Sequence, residues 1–320
     1  MKLLIAGGAG YIGSVLSPML QAAGHEVNVV DLCWFGNYLP KSITVTEHDL
    51  FTVTPEDLKD YDQLIFLAGL SNDPMAEFDP AMNFIHNGAL PAYLAFRAKQ
   101  AGLSRFIYAS SCSVYGYTVD ELYDESSPTV CDYPYGISKL LGERGVLQEE
   151  GDSFSTIALR QGTVNGYSPR MRFDLIVNTM FKTALSEKKI RVNHPGIWRP
   201  LIDVRDTAAA FVRAVEADQD ISGVFNVAYD NFTVGQVAEA VRDSVESLFD
   251  IEVEIETKSV SDLRNYKVSS EKARQKLGFA PVYGIEEMVQ SLAAHRDFYG
   301  DFSRKEFYNI QVFKELADKF

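Results

Sequence analysis

Short apolar runs alternate along the chain with longer stretches whose apolar positions recur at helical spacing. Residues 2–6, Lys-Leu-Leu-Ile-Ala, form a compact apolar run that ends in glycines and reads as a buried strand. A helix is expected over 11–23, stopping near Gly24. Further strands are expected at 26–31, 43–46, 63–68, 105–109 and 155–159. The run at 63–68 is as apolar as a central parallel strand should be. Long helices are expected over 81–101, stopping at Gly102, and over 134–150. Repeated strand–helix alternation predicts an α/β fold with a doubly wound parallel sheet. Past residue 168 the rhythm loosens. A helix is expected over 206–216 with Asp206 near its cap, a strand at 224–227, and a helix over 233–248. A last amphipathic helix is expected over 303–320, with no partner evident. No repeat or flexible linker separates the halves, so a smaller α/β lobe interleaved with the first is expected.

The first strand runs into Gly7-Gly8-Ala9-Gly10-Tyr11-Ile12-Gly13, with Gly7, Gly10 and Gly13 spaced three and three. Such a turn lets a backbone approach a pyrophosphate, and the helix that follows offers free N–H groups to the anion. At the first strand of a strand–helix–strand unit it predicts a dinucleotide cofactor in a Rossmann-type domain. Asp31 ends the second strand. A carboxylate there accepts hydrogen bonds from both ribose hydroxyls and repels a 2′-phosphate, which favours NAD over NADP. The plainer alternative for Asp31 is a turn aspartate.

Tyr135 and Lys139 lie four apart at the start of a helix and share a face. A lysine ammonium near a phenol favours the phenolate, which would make Tyr135 a usable general base. Taken alone, this spacing also fits a solvated surface pair. The fifth strand, however, ends in Ala109-Ser110-Ser111-Cys112-Ser113-Val114-Tyr115-Gly116. Open α/β sheets bind ligands beyond the carboxyl ends of their strands, so Ser111 could hold a reacting hydroxyl against Tyr135.

Composition narrows the partners. The chain has 320 residues and 46% hydrophobic content, enough for a large core. Its net charge of −14 repels nucleic acid and anionic membranes, so neither is expected as a partner. Three cysteines, Cys33, Cys112 and Cys131, without a C-x-x-C pair suit a reducing cytoplasm. Five histidines without zinc spacing give no expectation of a metal. The N-terminus is read as carrying no signal peptide, and no apolar run is long enough to span a bilayer.

Gly7 to Gly13, Asp31, the Asp49-Leu50 pair, Leu67-Ala68, Asn87, the serine segment and the Tyr135/Lys139 pair together resemble the extended short-chain dehydrogenase/reductases. That family includes UDP-galactose 4-epimerase and sugar-nucleotide dehydratases, decarboxylases and reductases. The resemblance covers essentially the whole chain. It implies Ser111, Tyr135 and Lys139 as the catalytic set. It implies NAD against Gly7, Gly10, Tyr11, Ile12, Gly13, Asp31, Asp49, Leu50, Leu67, Ala68 and Asn87, with Tyr135 and Lys139 also touching the cofactor. Asp49 would lie near the adenine, although by itself it reads equally as a helix cap.

The resemblance extends to a nucleotide-sugar substrate. It implies an NAD-binding domain of residues 1–168 plus about 204–227, and a sugar-nucleotide lobe of about 169–203 and 228–320. The stretch that usually ends V-Y-G-P reads Val164-Asn165-Gly166-Tyr167, a departure, and Thr163 stands where a phosphate-contacting asparagine is frequent. Arg199 falls where the family has R-D-[FY]-I-H-V and would bind the substrate diphosphate. Arg170, Arg172 and Arg264 look like further anion contacts, because arginine's planar fork donates two parallel hydrogen bonds. Each could also make a surface salt bridge. Ser111, Cys112 and Ser113 would face the sugar. A homodimer is implied, joined through the helices at 81–101 and 134–150.

The residues after Ser111 bear on the reaction. Dehydratases of the family follow the catalytic Ser/Thr with Asp-Glu, and many decarboxylases keep the glutamate. Here Cys112 and Ser113 are uncharged. The family's 3,5-epimerising members place a cysteine where Ser113 stands, so Cys112 reads as a packed small residue. The segment 168–174 resembles members that handle bacterial surface-sugar precursors, including GDP-heptose 4-dehydrogenases. Sugar-nucleotide 4-epimerisation is the leading expectation, ahead of 4-dehydrogenation and 4-keto reduction. A non-catalytic NAD-binding regulator is the alternative of another class, disfavoured because Ser111, Tyr135 and Lys139 are all present.

Overall fold

A computed structural model describes residues 1–258 and 265–317. Along the chain, β1 (Lys2–Ala6), β2 (Glu26–Asp31), β3 (Thr44–Glu47), β4 (Gln63–Phe66) and β5 (Arg105–Ser111) are followed by β6 (Tyr117–Tyr123), outside the main sheet. After β7 (Ser155–Gln161) come β8 (Thr163–Asn165), β9 (Lys189–Asn193), β10 (Trp198–Asp203) and β11 (Gly223–Val227). The last three are β12 (Asp230–Thr233), β13 (Glu254–Lys258) and β14 (Asn265–Val268).

The main sheet has seven parallel strands in the order β11-β7-β5-β4-β1-β2-β3. The chain therefore starts at the centre, winds outward to β3, and returns to build the other half. Alternation within β1 shows how the sheet is covered. Leu3 and Ile5 pack with Leu16, Leu20, Phe211 and Ala214 on one face. Leu4 and Ala6 pack with Leu90, Leu94, Ala98 and Val146 on the other. Both faces are buried under helices, as the apolar strands require. The point where the winding reverses, between β1 and β4, opens a crevice at the carboxyl ends of the strands.

A second core joins helices Ile176–Glu187, Val234–Phe249 and Ile285–Ala294 through Val177, Phe181, Val237, Val241, Met288 and Leu292. Smaller sheets, β12-β10-β8, β13-β9 and β14-β6, lie outside the main one. The chain leaves the first core after β7, returns with the helix Val204–Glu216 and β11, and returns once more where Ala273, Leu277 and Phe279 pack on it. No helix among the described residues is long and apolar enough to cross a membrane.

Some local expectations are corrected. The 81–101 helix is composite: Pro80–Phe84, a π turn at Ile85–Ala89, then Leu90–Ala101, closed by Gly102 in the left-handed region at φ 85°. Asp206 lies near the cap of its helix, in the first turn, but is not the cap itself. Asp203 is the cap and accepts from the Arg205 N–H at 2.8 Å, while Asp206 accepts from the N–H groups of Val282 (3.0 Å) and Tyr283 (2.9 Å). The terminal helix begins at Asn309, after a 3₁₀ turn at Lys305–Phe307, and its described part ends at Ala317. It has a partner: Phe313 packs with Leu70 and Met75.

Candidate active site

The glycine turn owes its shape to two close approaches. Gly7 has φ 80°, and a Cβ on it would meet the Ala68 backbone N at 2.4 Å; a Cβ on Gly13 would meet the Gly8 carbonyl oxygen at 2.2 Å. Gly10 differs, since the nearest atom to its would-be Cβ is the Gly7 oxygen at 3.3 Å, and the residue lines the crevice. The crevice is a cavity of about 760 Å³. Gly7, Gly10, Tyr11, Ile12, Gly13, Asp31, Asp49, Leu50, Leu67 and Ala68 all line it. A backbone cradle at a helix start, with Gly10 bare of a side chain at the crevice wall, fits the pyrophosphate of NAD.

Asp31 is held in place by accepting from the Ala9 N–H (2.9 Å) and the Cys33 N–H (2.8 Å), one on each oxygen. Burial pushes its pKa up, and those two hydrogen bonds oppose the rise. Each oxygen keeps a lone pair for a ribose hydroxyl, and the pair would repel a 2′-phosphate. Calorimetric titration should show NAD(H) preferred over NADP(H) by at least about tenfold, roughly 1.4 kcal/mol; equal affinities would remove Asp31 from this role. Asp49 both lines the cavity and caps the 3₁₀ turn Leu50–Thr52, accepting from the Phe51 N–H at 3.0 Å.

Ser111 ends β5 at the cavity wall. It accepts from the Ser113 N–H (3.2 Å) and hydroxyl (2.9 Å), which orients both serines toward the cavity they line. Tyr135 and Lys139 rise from the first turns of the helix Pro134–Leu147 and line the same space. Burial pushes the Tyr135 phenol well above its ordinary range, with Ser111 and Arg172 the principal influences opposing it. The Lys139 Nζ, which the sequence places on the same helix face, donates to the Ala109 carbonyl at 2.9 Å and sits 5.9 Å from the centre of the Tyr135 ring.

Burial alone pushes the Lys139 pKa from 10.5 down to about 7. Above pH 7 the unfolded chain therefore binds this proton more than the fold does. The stability of the ligand-free protein should gain from Lys139 between about pH 7 and 10, by at most about 1.4 kcal/mol per unit. The gain is absent below pH 7, where both states are protonated. Lys139→Met should flatten the rise. Parallel melting profiles for the two proteins across that range would show that the ammonium stays charged in the fold.

The remaining expected residues separate. Thr163, Arg170, Arg172 and Arg199 line the cavity. Arg172 pairs with Asp174 at 2.8 Å, and Arg199 lies 5.7 Å from the centre of the Tyr266 ring. Cys112, expected near the sugar, does not line the cavity: it is fully buried, and its thiol donates to the Arg160 carbonyl at 3.1 Å. Asn87 does not line it either. From the π turn it donates to the Leu70 carbonyl at 2.8 Å and shapes the loop after β4. Arg264 lies outside the described residues. Sequence reasoning missed Asp73, Arg191, Asn193 and Asn309 in the lining. Asp73 follows β4 without a motif, and the others come from elements whose position no pattern in the chain declares.

The chain is similar to curated proteins along nearly its whole length. UDP-glucose 4-epimerase of Corynebacterium glutamicum is 26% identical, covering 94% of this chain and 97% of its own. UDP-glucuronic acid decarboxylase 6 of Arabidopsis thaliana is 27% identical, covering 90% and 86%. Among solved structures, MoeE5 in complex with UDP-glucuronic acid and NAD matches with a TM-score of 0.80 at 25% identity, over 91% of this chain and 97% of that one. Residues 3–228 match the profile described as the NAD dependent epimerase/dehydratase family, and the chain belongs to that family of NAD-dependent enzymes.

Proposed function

We propose that the protein is a nucleotide-sugar 4-epimerase. The observation that carries this reading is the make-up of the wall at Ser111. Ser111, Ser113, Tyr135 and Lys139 surround the space, while the residue after Ser111 is a cysteine turned into the core. Such a wall supplies one acid/base group for a hydroxyl and none of the adjacent carboxylates that elimination uses.

NAD, held at the glycine turn and Asp31, would supply the acceptor and later the donor of a hydride at the sugar's C4. The Tyr135 oxygen takes the proton of the C4 hydroxyl as the ketone forms, and gives it back after the sugar has presented its other face. The Ser111 hydroxyl orients the C4 oxygen against Tyr135. Lys139, protonated, stabilises the phenolate by its charge. On the other side, Arg199 offers a cation to the substrate diphosphate from the second lobe, which serves as the sugar-nucleotide side of the site.

Incubating the purified protein with a panel of UDP-, GDP-, CDP- and dTDP-sugars and following products by NMR tests the reading. The C4 epimer should accumulate without net NADH. Stoichiometric NADH with a released 4-ketone would make it a dehydrogenase. A second reading has one observation in its favour: Asp73 lines the cavity, and its negative charge raises the Tyr135 pKa. Loss of water or of carbon dioxide in the same assay would favour that reading, with Asp73 as the extra carboxylate.

We also propose a homodimer working in a reducing cytoplasm, where Cys33, Cys112 and Cys131 stay free, as they are here. Ile85 and Phe96, with Ile137 and Leu141 on the neighbouring helix, are exposed at 42%, 43%, 37% and 51%. Two adjacent helices carrying apolar residues outward suit a four-helix contact between copies. Light scattering at micromolar concentration should give twice 35.7 kDa, and Leu141→Glu should shift it toward one. A wild-type protein of 35.7 kDa would overturn the dimer.

A further inference from the structure

Arg170 is 2% exposed, yet no carboxylate among the described residues lies within ion-pairing distance of it. Two residues on, Arg172 is equally enclosed but holds Asp174 at 2.8 and 3.1 Å. The Arg170 Nη2 donates to the Asn309 side-chain oxygen, Nη1 reaches the Met171 carbonyl at 3.4 Å, and Nε has no partner. The guanidinium lies 3.9 Å from the centre of the Phe35 ring. Burial, with the like charge of Arg172, pushes its pKa down to about 9. A buried cation with neutral partners is costly until an anion joins it.

Position says which anion. The Ser168 hydroxyl donates to the Tyr11 carbonyl at 2.7 Å, and the Tyr11 hydroxyl donates to the Gly166 carbonyl at 2.5 Å. The segment carrying Arg170 is thus tied to the glycine turn. Arg170 lines the cavity together with Gly10, Tyr11, Asp31 and Phe35, and its charge is felt by Asp31. That is the cofactor side of the crevice, not the sugar side to which sequence reasoning assigned it. We propose that Arg170 binds the pyrophosphate of NAD from the wall opposite the glycine turn, and that Asn309 of the C-terminal helix aims it. Asn309 is 4% exposed and is itself fixed by donating to the Ser71 hydroxyl at 2.6 Å. The proposal rests on the family's cofactor and not on which sugar reaction follows.

Calorimetry on the full chain, freed of bound nucleotide, tests it with NAD, NADP, ADP, adenosine and UDP as probes. Arg170→Gln should weaken NAD and ADP at least about tenfold, the range of a charge-assisted hydrogen bond, and leave adenosine within about twofold. UDP affinity should not change. Asn309→Asp carries the test should Arg170→Gln not fold. It is nearly isosteric, and its carboxylate would occupy Arg170, so ADP affinity must fall while adenosine's stays. Equal losses for ADP and adenosine would show that Arg170 merely builds the adenosine wall. A loss confined to NADP would move the contact to the 2′ position, and a loss confined to UDP would return it to the substrate. Each of these, or unchanged ADP affinity in both variants, overturns the proposal.

Discussion

Tyr135→Phe is expected to lower turnover at least about a hundredfold, the lower range for loss of a general base. The ring is enclosed in the crevice wall, so the phenylalanine keeps its packing, and NAD affinity should stay within a few fold. What disappears is the phenol oxygen to which the proposed reaction hands the hydroxyl proton. Ser111→Ala should cost less, because it orients the hydroxyl and takes no proton. Without ligands, burial holds Tyr135 protonated at neutral pH. Activity should therefore rise as pH rises toward the working pKa of the loaded site, and Lys139→Met should move that rise to higher pH. Cys112→Ala should be nearly silent, its thiol being committed to the Arg160 carbonyl within a packed cluster. Steady-state rates of the four variants on one accepted sugar nucleotide decide it. An inactive Cys112→Ala beside an active Tyr135→Phe would replace the tyrosine base with cysteine chemistry.

Glu143→Ala is expected to destabilise the fold by about 3–5 kcal/mol, the cost of leaving a buried partner charge alone. Glu143 and Arg160 are 1% and 5% exposed and bond at 2.6 and 2.9 Å. Ser110 donates to the same carboxylate at 2.6 Å, and Arg160 also donates to the Tyr115 hydroxyl at 2.8 Å. That hydroxyl in turn donates to Asn226 on β11 at 2.8 Å. The network ties the helix that carries Tyr135 and Lys139 to β5, β7 and β11. Urea melts should show a lower midpoint at constant slope, and Glu143→Ala combined with Arg160→Met should recover part of the loss. A change below about 1 kcal/mol in the single variant would mean that water or a shifted side chain repairs the site.

The first half of the fold was legible because its signals are local. Apolar runs at 2–6, 26–31 and 63–68 became β1, β2 and β4, the last ending at Phe66, and the glycine turn needed only its own spacing. The grouping of the candidate catalytic residues was equally legible: Tyr135 and Lys139 share one helix face, Ser111 ends a strand, and all three line the cavity. The second lobe was not. β8 has three residues, β9 buries only every other side chain, β13 buries none fully, and β6 pairs with β14 from far along the chain. Such strands form because of distant neighbours, which period and propensity do not report. The same limit applies to Arg170, for which we propose the cofactor's pyrophosphate in place of the substrate's diphosphate. An anion as its partner was readable from its chemistry in either case. Its side of the crevice depended on Ser168 meeting Tyr11 across 157 positions of sequence.

The late arrival of β11 has a consequence for synthesis. When residue 168 leaves the ribosome, six of the seven main strands exist, but β7, buried at all seven positions in the finished fold, is an open edge. It stays open until residue 227 emerges, after the chain has laid down one helix of the other core. An apolar strand edge waiting for its neighbour is a template for association with other nascent chains. Expression of residues 1–168 alone should accordingly give insoluble material, and slow translation between 168 and 227 should favour aggregates over folded enzyme.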